Sequence, residues 1–118
     1  MAKSKVQRIE VGKRMCQAAI HGDTVYLAGQ VADDPVPSVG KQTKQILARI
    51  DRILKQAGTD KTRILKANIW LSDIRTFDEM NKEWDKWVPK GNAPARATVE
   101  SRLAGQEYLV EIMVTAAR

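Results

Sequence analysis

The stretch that decides the fold is Leu109-Val110-Glu111-Ile112-Met113-Val114, near the carboxyl end of the chain. Successive side chains of a β-strand point to opposite faces of the sheet, and apolar residues occupy both alternating sets here. A strand with two apolar faces is buried on both of them. Extended over residues 107–117, the pattern predicts a strand covered by helices on one side and by a neighbouring subunit on the other.

Two amphipathic helices and five further strands precede this strand. Apolar side chains recur at helical spacing over residues 39–57 and again over 76–88. Short runs of strand-like composition, bounded by turn residues, make up most of the remainder. The predicted strands span residues 6–11, 17–21, 24–31, 64–71, 95–101 and 107–117.

This order, βββ-α-β-α-ββ, predicts an α+β fold in which two helices lie on one face of a mostly antiparallel six-stranded sheet. A length of 118 residues is the usual size of one domain, so we expect a single domain spanning residues 1–118. The uncovered sheet face would be an aggregation hazard on a monomer. Self-association is therefore expected.

The composition narrows the possible partners. A net charge of +6 favours anions, but the basic residues form no dense run with aromatic neighbours, so nucleic acid is not the expected partner. Cys16 and His21 are the sole cysteine and histidine, which disfavours a metal site, and we expect no organic cofactor. Without an apolar window of ~20 residues or a secretory signal, the protein is expected to stay in the cytoplasm, away from membranes.

Glu111 is the residue whose position most strongly suggests chemistry. A carboxylate in the middle of a buried strand is costly unless it is paired. In a partly dry cleft, desolvation would raise its pKa and suit it to activate water or pass a proton. The alternative is a purely structural glutamate that a cation satisfies across the sheet or a subunit boundary.

Arg96 stands at the start of a predicted strand, just after the turn marked by Pro94. Its guanidinium can hold a carboxylate through two parallel hydrogen bonds. That carboxylate could belong to a ligand. It could also belong to Glu111, if strands 95–101 and 107–117 paired directly and formed a structural salt bridge.

Several segments together resemble the RidA/YjgF family of reactive-intermediate deaminases, over nearly the whole chain. Among them are Thr24-Val25-Tyr26-Leu27-Ala28-Gly29-Gln30, Pro94-Ala95-Arg96-Ala97-Thr98-Val99-Glu100 and Val110-Glu111-Ile112. The resemblance implies a chorismate-mutase-like homotrimer with ligand sites between subunits. It also implies a 2-iminobutanoate/2-iminopropanoate deaminase-like hydrolase, which converts 2-imino acids or enamines to 2-oxo acids and ammonia.

The resemblance also implies roles at matching positions. Arg96 would grip the substrate carboxylate, and Glu111 would orient or deprotonate the attacking water. The backbone N–H of Gly29 and the backbone carbonyl of Thr98 would make further ligand contacts.

Met15 departs from the family pattern, because the deaminases typically have a tyrosine there. A thioether donates no hydrogen bond, so the site would prefer a bulkier or more apolar imine. Tyr26 is a second candidate for the cleft wall. Two other functions stay open: a non-catalytic regulatory module that binds a small carboxylate, and a ribonuclease, for which the sequence shows no paired acid and base with a phosphate clamp.

Overall fold

The computed structural model describes residues 5–118. The expectation that the amino terminus carries no secretory signal falls mainly on residues 1–4, which lie outside the described residues. Six strands and two α-helices follow one another in the predicted order. The strands are β1 (Val6–Val11), β2 (Cys16–His21), β3 (Thr24–Leu27), β4 (Ile64–Leu71), β5 (Ala95–Glu100) and β6 (Val110–Ala117). The helices are α1 (Val39–Gln56) and α2 (Phe77–Trp87).

The strands form one six-stranded sheet in the order β1-β2-β3-β6-β4-β5. All neighbouring strands are antiparallel except β4 and β5, which run parallel. The predicted α+β fold, a mostly antiparallel sheet with two helices, is confirmed. The strand with two apolar faces, β6, lies inside the sheet between β3 and β4.

The two helices pack on one face of the sheet and build the core with it. On β6, the residues that point to this face are at most 1% exposed: Val110, Ile112, Val114 and Ala116. The predicted apolar stripe of α1 is buried against them, and α2 buries Met80 and Trp84. Because each buried large apolar side chain contributes roughly 1.5–3 kcal/mol, this layer is the main source of stability.

The bounds of α1 follow from its flanking residues. The Ser38 hydroxyl accepts a hydrogen bond from the Lys41 backbone N–H at 3.2 Å, which satisfies one unpaired donor of the first turn. Just beyond the helix, Gly58 adopts a φ of +82°. Glycine takes this left-handed conformation at little steric cost, so the helix ends there.

Three strands are shorter than the sequence predicts: β5 by one residue, and β3 and β6 by several. β3 ends at Leu27. The Ala28 N–H still donates to the Gln17 carbonyl of β2 at 2.9 Å, but on the other side Gln30 makes only a single bridge to Ile112 of β6, one residue out of the β3–β6 register. β6 begins at Val110 because side-chain hydrogen bonds, described below, occupy the backbone just before it. The chain therefore bends where the predicted site residue Gly29 lies.

The opposite face of the sheet is left open by this chain. Tyr26 and Thr115 form one pair on this face, and Trp70 pairs with Glu111 on the same side. Tyr26 is 52% exposed and Val99, on the edge strand, is 50% exposed. Large apolar side chains on this face agree with the predicted burial by a neighbouring subunit, which stays a prediction.

Gln42 is a fully buried polar residue of α1. Its Nε2 donates to the carbonyl oxygens of Val36 at 2.8 Å and Glu107 at 2.9 Å, and its Oε1 accepts from the Leu109 N–H at 2.9 Å. Buried polar groups need such partners, so one amide ties the loops before α1 and before β6 to the helix.

Replacing Gln42 with leucine, which has a similar size, is expected to lower the free energy of unfolding by about 2–4 kcal/mol, because three hydrogen bonds are lost and the Glu107 carbonyl and the Leu109 N–H are left buried without this partner. Urea unfolding measures the change. Gln45→Leu is the matched control, since Gln45 exchanges hydrogen bonds with the Asp34 backbone near the surface and should cost under about 1 kcal/mol. Equal losses in the two variants would contradict the role assigned to Gln42.

Candidate functional site

Glu111 lies near the start of β6, on the face that the helices leave open. A Cβ atom added at Gly29 would lie 3.0 Å from the Glu111 Cδ, so this glycine leaves the room in which the carboxylate packs. Among residues 5–118, no ion pair or side-chain hydrogen bond satisfies that carboxylate. Burial without a compensating cation raises the pKa of Glu111.

Gly29 is held in place by the buried side chain of Gln30. The Gln30 Nε2 donates to the Gln17 Oε1 at 2.8 Å, and its Oε1 accepts from the Arg49 Nε at 3.1 Å. The Gln30 backbone exchanges two hydrogen bonds with Ile112, next to Glu111. The segment that carries Gly29 is therefore fixed to both β2 and α1.

Arg96 lies on the other face of the sheet, beneath α2. Its Nη1 donates to the Asn81 Oδ1 at 2.7 Å, and its guanidinium carbon lies 5.2 Å from the Trp84 ring centre and 5.7 Å from that of Phe77. Partial burial lowers the pKa of Arg96, and the charge of Asp85 opposes that shift. No carboxylate of residues 5–118 forms an ion pair with this guanidinium.

The pairing of Arg96 with Glu111 considered from the sequence is wrong within one chain. β4 lies between β5 and β6, where Ala67 pairs with Arg96 and Trp70 pairs with Glu111. Ala67 faces the core and Trp70 the open side, so the two charged groups project from opposite faces. Two strand spacings and a three-residue offset separate their Cα atoms by about 14 Å.

Thr98 follows Arg96 on the same face of β5 and pairs with Ile69. Its hydroxyl oxygen is buried without a hydrogen-bond partner among the described residues. The Ser101 N–H donates to the Leu71 carbonyl at 2.9 Å. Since alternate residues point their backbone groups to opposite strand edges, the Thr98 carbonyl projects from the outer edge of the sheet, where a ligand can reach it.

Met15 and Tyr26 lie at different distances from Glu111. Met15 is half-exposed in the loop between β1 and β2, at the end of the sheet where Gly29 lies. Tyr26 shares the open face with Glu111, but it pairs with Thr115. Thr115 is four residues from Glu111 along β6, a distance of about 13 Å. Met15 is thus the better placed of the two for a cleft around Glu111 and Gly29.

Two surface grooves of the described residues lie away from Arg96 and Glu111. One of about 320 Å³ runs between α1 and α2 over Leu47 and Trp87, and one of about 400 Å³ lies beside Arg102 and Tyr108. Neither groove includes Arg96 or Glu111. Within residues 5–118, no cluster of three or more metal-ligating side chains occurs, and no helix there is long and apolar enough to span a membrane.

The surroundings of Arg96 were not predicted from the sequence. Phe77, Asn81 and Trp84 follow one another at helical i, i+4, i+7 spacing, so they share one stripe of α2. The apolar part of this stripe was predicted as core. Asn81 lies within this stripe, and its polar side chain indicates from the sequence that the stripe also faces a polar group.

Comparison with known proteins gives consistent matches over nearly the full chain. Residues 6–118 match the family described as Endoribonuclease L-PSP. A RutC family protein of Haemophilus ducreyi is 44% identical over 95% of this chain and 96% of its own length. A 2-iminobutanoate/2-iminopropanoate deaminase of Rattus norvegicus is 34% identical over 81% of this chain and 74% of its own length.

The fold is shared as well. The crystal structure of a YjgF protein family member from Neisseria meningitidis matches with a TM-score of 0.94 at 38% identity. The match covers 97% of this chain and 95% of that chain. The arrangement of β6 between β3 and β4 is therefore a property that this chain has in common with solved relatives.

The Glu111 carboxyl is expected to titrate above the ordinary glutamate range, because burial disfavours its charged form. With a raised folded pKa, its contribution to stability is complete below the unfolded pKa and is lost as the pH rises through the folded pKa. A carbon-detected NMR titration measures this, with Glu111→Gln used to assign the resonance. A midpoint at or below the ordinary range would contradict the described environment.

Proposed function

Because the chain belongs to the Endoribonuclease L-PSP family, in agreement with its resemblance to RidA/YjgF proteins, we propose that it hydrolyses 2-imino acids or their enamine tautomers to 2-oxo acids and ammonia. One observation carries the proposal: Arg96 and Glu111 are partly buried charges, and neither forms an ion pair within residues 5–118. Such groups suit a charged ligand and a proton transfer, respectively. The rat relative carries the name of this activity.

In the proposed reaction, Arg96 binds the substrate carboxylate through two parallel N–H donors. This fixes the imine carbon, so that positioning supplies much of the rate advantage over water. Water adds its oxygen to that carbon and gives a proton to Glu111. The protonated carboxyl gives that proton to the imine nitrogen, which forms a carbinolamine. Glu111 then takes the hydroxyl proton and passes it to the same nitrogen, the C–N bond breaks as the C=O bond forms, and ammonia and the 2-oxo acid leave.

The raised pKa of Glu111 suits both halves of this proton transfer. A carboxylate with a pKa closer to neutrality is a stronger base toward water than an ordinary glutamate, and it is also a competent acid toward the leaving amine. The Gly29 N–H and the Thr98 carbonyl make the further ligand contacts of the proposal. No metal or organic cofactor takes part in it.

One copy of the chain cannot place both groups on one small substrate, since they project from opposite faces about 14 Å apart. We therefore place the site between copies, with Arg96 from one and Glu111 from another. A contact between two different surfaces closes into a ring when the rotation permits. The homotrimer implied by the family resemblance is such a ring, and its formation would cover the open sheet face.

Met15 sets the proposed substrate preference and also motivates a second candidate function. Met15 lies in the loop between β1 and β2, at the end of the sheet where Gly29 lies. Its thioether favours a bulkier or more apolar imine than the hydroxyl of a tyrosine would. Loss of a hydroxyl donor at that position equally suits a module that binds a small 2-oxo or amino acid without turnover. Binding of 2-oxobutanoate in calorimetry, with no imine hydrolysis, would favour this second function.

The proposed activity is tested by generating 2-imino acids in situ with an amino-acid oxidase and following 2-oxo acid formation. Wild type is expected to accelerate it, and Glu111→Gln should lower the rate about 10²–10⁴-fold because the general base is lost. Arg96→Ala should raise KM at least about tenfold, because a charge-assisted bidentate contact is lost.

Arg52→Ala is the control for removing an arginine, because Arg52 is an exposed residue of α1 that pairs with Glu10. Its activity should equal that of wild type. Full activity in Glu111→Gln would remove this residue from the mechanism. No acceleration by wild type for any imine side chain would overturn the proposed enzyme.

A further inference from the structure

The three side chains of α2 that are in contact with the guanidinium of Arg96 are all neutral. Phe77, Asn81 and Trp84 all face it, at i, i+4 and i+7. The two aromatic rings attract the cation through their faces, and the Asn81 Oδ1 accepts a hydrogen bond from one Nη. The arginine is held on several sides by neutral groups.

We propose that Asn81 is a positioning residue that orients Arg96 through a neutral acceptor, so that the guanidinium keeps its full charge for the substrate carboxylate. This inference rests on the proposed function, since it concerns how the same site binds its ligand.

The physical reason lies in what a partly buried arginine otherwise does. A guanidinium out of water is stabilised most strongly by a carboxylate, which occupies two of its parallel donors. An internal carboxylate at this place would compete directly with that of a substrate. An amide oxygen fixes the orientation of one nitrogen and leaves the other donors and the net charge unsatisfied.

The acidic residue whose charge acts on Arg96 is Asp85, which lies one helical turn beyond Asn81 on α2. It acts on Arg96 through space without forming an ion pair. The aromatic rings of Phe77 and Trp84 stabilise the cation further without a carboxylate that would take up its N–H donors. The edge opposite Asn81 is therefore where a carboxylate can bind.

The decisive variant is Asn81→Asp, which changes one amide to a carboxylate at nearly constant shape. The charged acceptor should form an ion pair with Arg96 and raise both KM and the dissociation constant of 2-oxobutanoate by about tenfold or more. The turnover number should change much less, because the loss is in binding that ground and transition states share. The melting temperature should stay equal or rise.

Asn81→Leu separates this role from a merely structural one. It removes the acceptor and leaves Arg96 fully charged, so KM should rise less than in Asn81→Asp. If the hydrogen bond alone mattered, the order would reverse, because aspartate keeps an acceptor and leucine does not. Gln56→Glu at the exposed end of α1 makes the same amide-to-carboxylate change elsewhere and should leave KM unaltered.

The outcomes distinguish this inference from the proposed function. A wild-type protein that neither hydrolyses imines nor binds 2-oxobutanoate removes both. An active wild type in which Asn81→Asp keeps KM within about twofold, or affects it less than Asn81→Leu, overturns the inference and leaves the deaminase intact. If Asn81→Asp does not fold, a wild-type KM in Asn81→Leu is the contradicting result, since an orienting acceptor would then be dispensable.

Discussion

The packing of β6 against α1 is the interaction on which the rest of the structure depends. Val110, Ile112 and Val114 face the core, so Glu111 and Met113 must face the opposite side of the sheet. A register slip of one residue would bury the carboxylate among apolar side chains, at a cost of several kcal/mol. Hydrophobic burial on one face of β6 therefore fixes where the charge on the other face lies.

Much of this arrangement can be predicted from the sequence, because alternation along 107–117 and the helical stripes of 39–57 and 76–88 are strong periodic signals. The strand order could not be predicted. A short connection between the last two strands suggests a hairpin, whereas β4 pairs with both and runs parallel to β5, with α2 as the crossover. That insertion separates Arg96 from Glu111 by two strand spacings, and the register along β4 places them on opposite faces.

The hydrogen bonds of buried amide side chains also could not be predicted from the sequence. Gln42 and Gln30 are buried amides that fix the loops around β6, and Asn81 orients Arg96. Amide side chains are mostly exposed in proteins, so their type gives no hint of burial. Gly29 was found through family resemblance, and its physical reason, room for the Glu111 side chain, becomes visible only in three dimensions.

The central claim is that Arg96 of one copy and Glu111 of another form one active site. Arg96→Ala and Glu111→Gln chains, each impaired alone, can be unfolded together and reassembled at equal amounts. Random assembly gives about a quarter of the contacts an intact Arg96 on one side and an intact Glu111 on the other. Because activity should follow the fraction of sites with both residues intact, the account predicts recovery of roughly a quarter of wild-type activity. No recovery in oligomers shown to contain both chains would contradict it.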